Sequence, residues 1–314
     1  MKRDYGREIA VVLHSTQHFD AGETDFIVRQ LLAIKPKLYS AEYPTLRAMD
    51  FIPMASDVDA YAEAITYQMT DGYGQAKMVS NDADDLPDVD VSTGEAAPTP
   101  VKTIAAKYGY SWLDLQRAAK QRAPLTTRRA ERARKAVAEQ IDVTLRAGNT
   151  DAKVPGFINS SLITPQAAAG NYGALTAQQV VADINTNLNA IPTNTKGVHE
   201  ATAVLLPIST MLYLNTTPWS TTGQSDLTIM DFLKKSHPGV TFDQWYALEQ
   251  AGASNVKRMV IYDKNPDVVE GQLPLNFYEF PPQAKGLRLE VPVLARCGGT
   301  IIRFPAAMRY VDGV

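Results

Sequence analysis

TTRRAERARKAVAEQIDVTLRAG, residues 126–148, decides the fold. Ala130, Ala133, Val137, Ile141 and Leu145 recur three or four positions apart, so they share one face of a helix. Pro124 breaks any helix arriving from Trp112, Thr126 or Thr127 supplies an N-cap, and Gly148 suits the position just past the last turn. The reading predicts a helix of roughly 22 residues, on the order of 33 Å at 1.5 Å per residue. Its charge is lopsided. Between Arg117 and Lys135 stand Arg117, Lys120, Arg122, Arg128, Arg129, Arg132, Arg134 and Lys135 against one acid, Glu131. The macrodipole favours anions in the first turns, and like charges at i, i+4 such as Arg128 and Arg132 repel. Either the bases form a solvated face or something anionic lies against them.

N-terminal to this helix the period changes. In residues 61–69 the side chains of Tyr61, Ile65, Tyr67 and Met69 alternate with Ala62, Ala64, Thr66 and Gln68, which is strand patterning. A second β-prone run, PTPVKTIAAKYGY, covers 98–110. Residues 72–98 between them are too polar and too long for an ordinary connection, so a long hairpin with a large loop at its tip is expected. That tip holds Asp82, Asp84, Asp85, Asp88, Asp90 and Glu95 with no base between Lys77 and Lys102. The first 55 residues scatter Phe26, Ile27, Leu31, Leu32 and Ile34 before a stretch broken by Pro36, Pro44 and Pro53, and read as an extended arm. Arm and hairpin lack a core of their own and need a partner surface for Phe26, Leu31, Tyr61, Ile65 and Tyr67.

C-terminal to the helix come a loop or strand, VPGFINSSLITP, and an amphipathic helix capped by Thr176. From 201 strands and helices alternate: ATAVLLPIS, STMLYLN, SDLTIMDFLKKS, a second helical piece at TFDQWYALEQAG, and KRMVIYDK. The last forty residues are a run of β segments, and no internal repeat is present. The class is α+β.

Composition narrows the function. The chain has 314 residues, 45% apolar and 21% charged, with 31 Lys and Arg against 34 Asp and Glu. That is ample for a buried core and leaves no global basic field, so any contact with nucleic acid rests on a local cluster. One cysteine, Cys297, excludes an internal disulfide framework and suits a reducing compartment. No apolar run approaches the ~18 residues of a membrane span, and no secretory leader is legible.

A nucleophile elbow, a P-loop and a helix-borne His-Glu-x-x-His are absent. Asp71 to Gly74 starts like a dinucleotide fingerprint, but Lys77 stands at the third glycine, so a plain turn is the reading. Asp82 to Asp90 lacks the glycine and glutamate of a calcium loop and reads as a solvated loop. His14 and His18 are helix-spaced without matching ligands, His199 and His237 are scattered, and Cys297 sits in an apolar context. Asn159 and Asn215 match a glycosylation pattern that means nothing without secretion. No catalytic residue, cofactor or metal is expected.

The order of features, with Gly156-Phe157-Ile158-Asn159 after the long helix, LLPISTMLYL opening an α/β region and the closing block from Asp263 to Gly313, resembles the major capsid proteins of tailed bacteriophages. The resemblance spans nearly the whole chain and rests on order and on that closing block. It implies the Hong Kong 97-type fold: an N-terminal arm at 1–55, an E-loop at 56–110, a peripheral domain with a spine helix at 111–195, an axial domain at 196–280, and C-terminal strands at 281–314 returning to the peripheral domain. It implies hexamers and pentamers of this chain in an icosahedral virion shell, assembled in the host cytoplasm around double-stranded DNA held without sequence preference. The E-loop of one subunit then lies over the peripheral domain of the next. Tyr61, Ile65, Tyr67, Phe26, Leu31, Asp82, Asp84 and Asp85 are the expected intersubunit residues. Arg128, Arg129, Arg132, Arg134 and Lys135 are expected to face DNA or the neighbour's loop. Some members carry a long scaffolding segment before the arm; this sequence has no room for one, so a separate scaffold, or none, is expected, with cement and portal proteins as further partners. Two alternatives stand beside this reading. One is an encapsulin-like bacterial compartment shell enclosing a cargo enzyme, against which a basic inner surface argues. The other is a soluble hydrolase, for which the acid-base constellation is missing.

Overall fold

The computed structural model describes residues 45–55, 57–78, 86–121, 126–220 and 227–314. Phe26, Leu31, His14, His18, Asp82, Asp84 and Asp85 lie outside them, as do the side chains of Arg117 and Arg128 and the whole of Arg122.

In chain order the first elements are α1 (Ala48–Phe51), β1 (Ala64–Ile65), β2 (Gln68–Tyr73), β3 (Asp90–Glu95), β4 (Thr99–Pro100), β5 (Lys102–Ser111), α2 (Trp112–Gln121) and α3 (Thr126–Ala147). They are followed by β6 (Gln166–Ala167), α4 (Ala177–Asn194), β7 (Ala203–Leu206), α5 (Ile208–Thr216), α6 (Ile229–Ser236), β8 (Thr241–Gln244) and β9 (Arg258–Tyr262). The closing set is β10 (Val269–Gln272), β11 (Leu275–Glu279), β12 (Gln283–Lys285), β13 (Arg288–Cys297), β14 (Gly299–Ile302) and β15 (Met308–Asp312).

The long helix α3 falls where its period put it, with Ala133, Val137, Ile141 and Leu145 buried. Gly148 follows at φ 68°, and a Cβ there would sit 2.4 Å from the Val154 carbonyl oxygen, so only glycine closes the helix this way. The Thr176 cap of α4 forms as read, and Gln179 completes a capping box. One reading fails. Residues 241–252, expected to be helical, open with strand β8, which pairs in parallel with β7 before a short 3₁₀ turn at Tyr246–Gln250. The β7 ladder overrides the local preference, and Phe242 and Trp245 are buried.

The middle layer is a mixed sheet ordered β6-β15-β9-β7-β8. Alternation sends Ala203, Leu205, Val260, Tyr262, Met308 and Tyr310 to one face, where they share a core with α1 and α3. Val204, Leu206, Met259, Ile261 and Val311 go to the other face, under α4, α5 and α6. Thus α4, grouped with the long helix in the sequence reading, packs through Val180, Ile184, Leu188 and Ile191 on the opposite side of this sheet. The closing strands divide likewise. β13 and β14 pack near α3, whereas β15 is the neighbour of β9 in the middle sheet.

The joint between these layers is the loop after α3. Phe157 and Ile158 donate their amides to Leu145 and Arg146 carbonyls, and the Thr300 hydroxyl donates to Leu145 as well, satisfying the helix end. Arg258, buried, holds Asp312 through two bonds of 2.6 and 2.7 Å and donates to the Ile158 carbonyl at 2.6 Å. Phe157 meets Tyr262 edge-on, with ring centroids 5.0 Å apart.

Candidate functional site

The hairpin exists, but its return strand is not the one expected. β2 pairs antiparallel with β3, from Gln68 opposite Glu95 to Tyr73 opposite Asp90, and β1 pairs with β4. The run at 102–111 belongs instead to β5, which pairs along its whole length with β13. Acid-rich Asp90–Glu95 hides its alternation because only Val91 and Thr93 signal a strand; with it paired, the tip shrinks to residues 74–89.

Every residue of β2 and β3 is exposed. Paired residues share a face, so Met69, Asp71 and Tyr73 stand beside Gly94, Ser92 and Asp90 on one side. The Tyr73 hydroxyl donates to Asp90 at 3.0 Å. Met69 is 55% and Tyr73 59% exposed, and Tyr61 is 86% exposed near the root. Among the described residues of 64–100 there are four acids, Asp71, Asp88, Asp90 and Glu95, and one base, Lys77. The outer hairpin is therefore an acidic ribbon with an apolar stripe and no core. Its root is different. Ile65 and Tyr67 are half-buried in their own chain; the Arg303 guanidinium lies 5.6 Å from the centre of the Tyr67 ring. Arg303 is itself held by Glu270 and by the Pro266 carbonyl.

The bases of α3 do not act as one patch. Arg129 donates to the Gly109 carbonyl at 2.5 Å, lies over Tyr110 and pairs with Asp114 at 3.6 Å. Arg132 pairs with Glu139 at 3.6 Å, and Arg134 lies over the Phe277 ring. Lys135 is half-buried. Part of the charge thus clamps β5 and β11 to the helix. Arg129 and Arg132 line, with Lys107 and Arg288, a groove of about 680 Å³ between β5 and α3. Tyr108, also lining it, has its hydroxyl pushed up to about 12, by burial first and then by the Glu279 carboxylate it donates to. Sequence reading missed Arg288, Glu290 and Arg303, because their partners lie far away in the chain and no local pattern marks them.

Reactive chemistry is sparse. No group of three or more His, Cys, Asp or Glu among the described residues could hold a metal ion. Cys297 is buried, which pushes its thiol up to about 11 and keeps it a thiol rather than a nucleophile at neutral pH. His199 faces Asp263 at 3.3 Å, and His237 bonds Asn185 at 2.8 Å. No described helix is long and apolar enough to cross a membrane.

The family described as major capsid protein matches residues 74–314. This chain belongs to that family. As a major capsid protein it is a structural component of a phage shell, the virion capsid, and the compartment alternative is not favoured. The solved capsid of Myoviridae phage XM1 is similar to it with a TM-score of 0.79 at 19% identity, covering 91% of this chain and 98% of that one. The capsid of a native GTA particle gives 0.60 at 12% identity, over 89% and 95%. Mycobacterium phage Bobi gives 0.60 at 12%, over 91% and 96%. These likenesses establish the Hong Kong 97-type fold expected from the sequence. No curated protein sequence matches the chain.

Proposed function

We propose that the subunit contact of this capsid protein is made by the outer hairpin, as an E-loop lying over the basic flank of the next subunit. The observation that carries this reading is the stripe of Met69 and Tyr73, exposed on an acidic ribbon that has no core of its own among the described residues. Burying such a stripe contributes ~25 cal/mol per Å² only when another surface covers it. Tyr61 joins that contact, while Ile65 and Tyr67 set the angle at which the hairpin leaves the body. Asp82, Asp84 and Asp85 at the tip, and Phe26 and Leu31 in the arm, belong to the same intersubunit surface by charge and by apolar content.

In the domain terms of the fold, α3 with the sheet of β5 and β13 corresponds to the peripheral domain. The middle sheet with α4, α5 and α6 corresponds to the axial domain. Subunits join as hexamers and pentamers in the host cytoplasm around double-stranded DNA, whose phosphates are met by those bases of α3 and its surroundings that face inward. Cement and portal proteins complete the particle, with a separate scaffold or none, and the chain itself performs no catalysis and carries no cofactor.

Negative-stain electron microscopy of the expressed protein tests the shell. Closed particles of megadalton mass are expected, and a small soluble oligomer alone would overturn the reading. Replacing Asp82, Asp84 and Asp85 with Asn tests the charge complementarity. Assembly of that variant is expected to lose much of its dependence on ionic strength, since exposed pairs of ~0 to 1 kcal/mol each act on register more than on subunit stability.

A further inference from the structure

Among the described residues, the register of β5 against β13 leaves one strand edge open. Lys107 stands opposite Pro292, which has no N–H, and the Pro292 carbonyl accepts from Phe280 on the far side of β13. Lys107 and Pro292 are therefore a non-hydrogen-bonded pair, and by alternation so are Thr103, Ala105 and Gly109 with their partners. The backbone N–H and C=O groups of these four residues point away from β13. Arg129 takes the Gly109 carbonyl; those of Thr103, Ala105 and Lys107 have no partner among the described residues. The edge is solvent-accessible, since Thr103, Ala105 and Lys107 are all exposed, and it runs beside the groove that carries Lys107, Arg129, Arg132 and Arg288.

The hairpin offers the complement. The Ala96 amide donates to the Tyr67 carbonyl, so pairs two residues further along are bonded and those between are not. Val91, Thr93 and Glu95 of β3 accordingly turn their backbone groups outward, away from β2. A two-stranded ribbon with both edges open is marginal in water, and it gains most from a third strand. Its length matches: β3 has six residues, and the open edge spans seven, 103–109. Charge favours the match in part: Asp88, Asp90 and Glu95 lie on or beside β3, while Lys107, Arg129, Arg132 and Arg288 line the groove with one acid, Asp114, and Lys107, Arg129 and Arg132 also pair with Glu290, Asp114 and Glu139 of their own chain.

We infer that the β3 edge of one copy of this chain adds as a strand to the open β5 edge of a second copy, making one sheet that runs across the subunit boundary. The inference rests on the hairpin contact proposed above and supplies its mode: main-chain hydrogen bonds set the register, and the base-rich groove beside the edge adds a smaller preference for an acidic strand. Because the two edges are different surfaces of the same chain, the contact is head-to-tail and repeats around a ring.

Proline at an outward-facing position removes only the outer donor and leaves the β5–β13 ladder intact, which makes Ala105→Pro the decisive variant, with Ala105→Val as its control. Assembly is followed by light scattering and electron microscopy, and subunit folding by circular dichroism. The proline variant is expected to assemble roughly tenfold or more slowly while the valine variant matches the parent, the size expected from losing one or two main-chain bonds. Should Ala105→Pro fail to fold, Thr93→Pro on the exposed ribbon makes the same cut from the other side. Hydrogen exchange gives an independent reading. The amides of Thr103, Ala105 and Lys107 are expected to exchange freely in unassembled subunits and to be protected in shells. If shells form with Ala105→Pro or Thr93→Pro as fast as with the parent, or if those amides exchange equally in shells and subunits, strand addition is wrong and the shell reading stands. If the parent forms no shells, both fall.

Discussion

The joint around Pro155 to Ser160 and the hairpin from Ala64 to Pro100 solve opposite problems. At the joint, helix end, loop and two sheets meet, and the backbone groups of Phe157 and Ile158 are bonded to α3, Tyr310 and Arg258. In the outer hairpin, side chains that a globular core would bury stand in solvent, and both strand edges are open among the described residues. The joint is complete inside one chain, whereas the hairpin is completed only by another. Substitutions should therefore separate cleanly into those that unfold the subunit and those that leave it folded but unable to assemble.

The largest effect belongs to Arg258→Ala. It leaves Asp312 without its bidentate partner in a buried site and removes the donor to Ile158, a loss of about 3–5 kcal/mol in denaturant unfolding of the subunit. A cost under about 1 kcal/mol would break the claim that the joint holds the layers together. Gly299→Ala comes next. Gly299 has φ 74°, and a Cβ would lie 2.2 Å from the Pro155 carbonyl oxygen, so strain plus clash should remove at least about 2 kcal/mol.

A pH-dependent effect sharpens the same side of the comparison. Burial raises the Cys297 thiol to about 11, above the ordinary thiol range near about 8.5 that the unfolded chain keeps. The unfolded state then loses its proton first, so this contribution is whole below about pH 8.5 and is lost as pH rises towards about 11. Unfolding curves of the parent and of Cys297→Ala should run parallel at neutral pH and converge in that alkaline window, and a constant gap across it would contradict the burial argument.

The smallest stability effect is expected in the hairpin. Met69→Ser with Tyr73→Ser should change subunit stability by no more than about 0.5 kcal/mol while sharply reducing particle yield. If the double variant instead costs as much as Gly299→Ala in monomer unfolding, the hairpin is part of the subunit core and the contrast collapses.

Legibility followed the range of the interaction. α3, its Gly148 terminus and the Thr176 cap are written in residues within a few positions of one another, and they stand where the sequence put them. The Asp90–Glu95 strand was hidden by its acids, and β8 was masked by a helix-like apolar pattern that the neighbouring strand overrode. Of the basic cluster, composition found the charge but not its use: Arg129 and Arg134 are spent on Gly109 and Phe277 of the same chain.

By itself the sequence determined an α+β chain with one long amphipathic helix, a polar-tipped hairpin and an order of elements that resembles the tailed-phage capsid proteins. Helix period, caps and turn residues act over one or two turns, so a linear reading reaches them. Only the tertiary structure decided that Lys102–Ser111 leaves the hairpin to pair with Arg288–Cys297, and with it which edge stays open. Lys107 and its partner Glu290 are 183 residues apart. Many strands of similar pattern compete for such a pairing, and the choice among them is made by closing the whole core at once, with Ala295 and Cys297 buried against α3, which no local stretch of residues records.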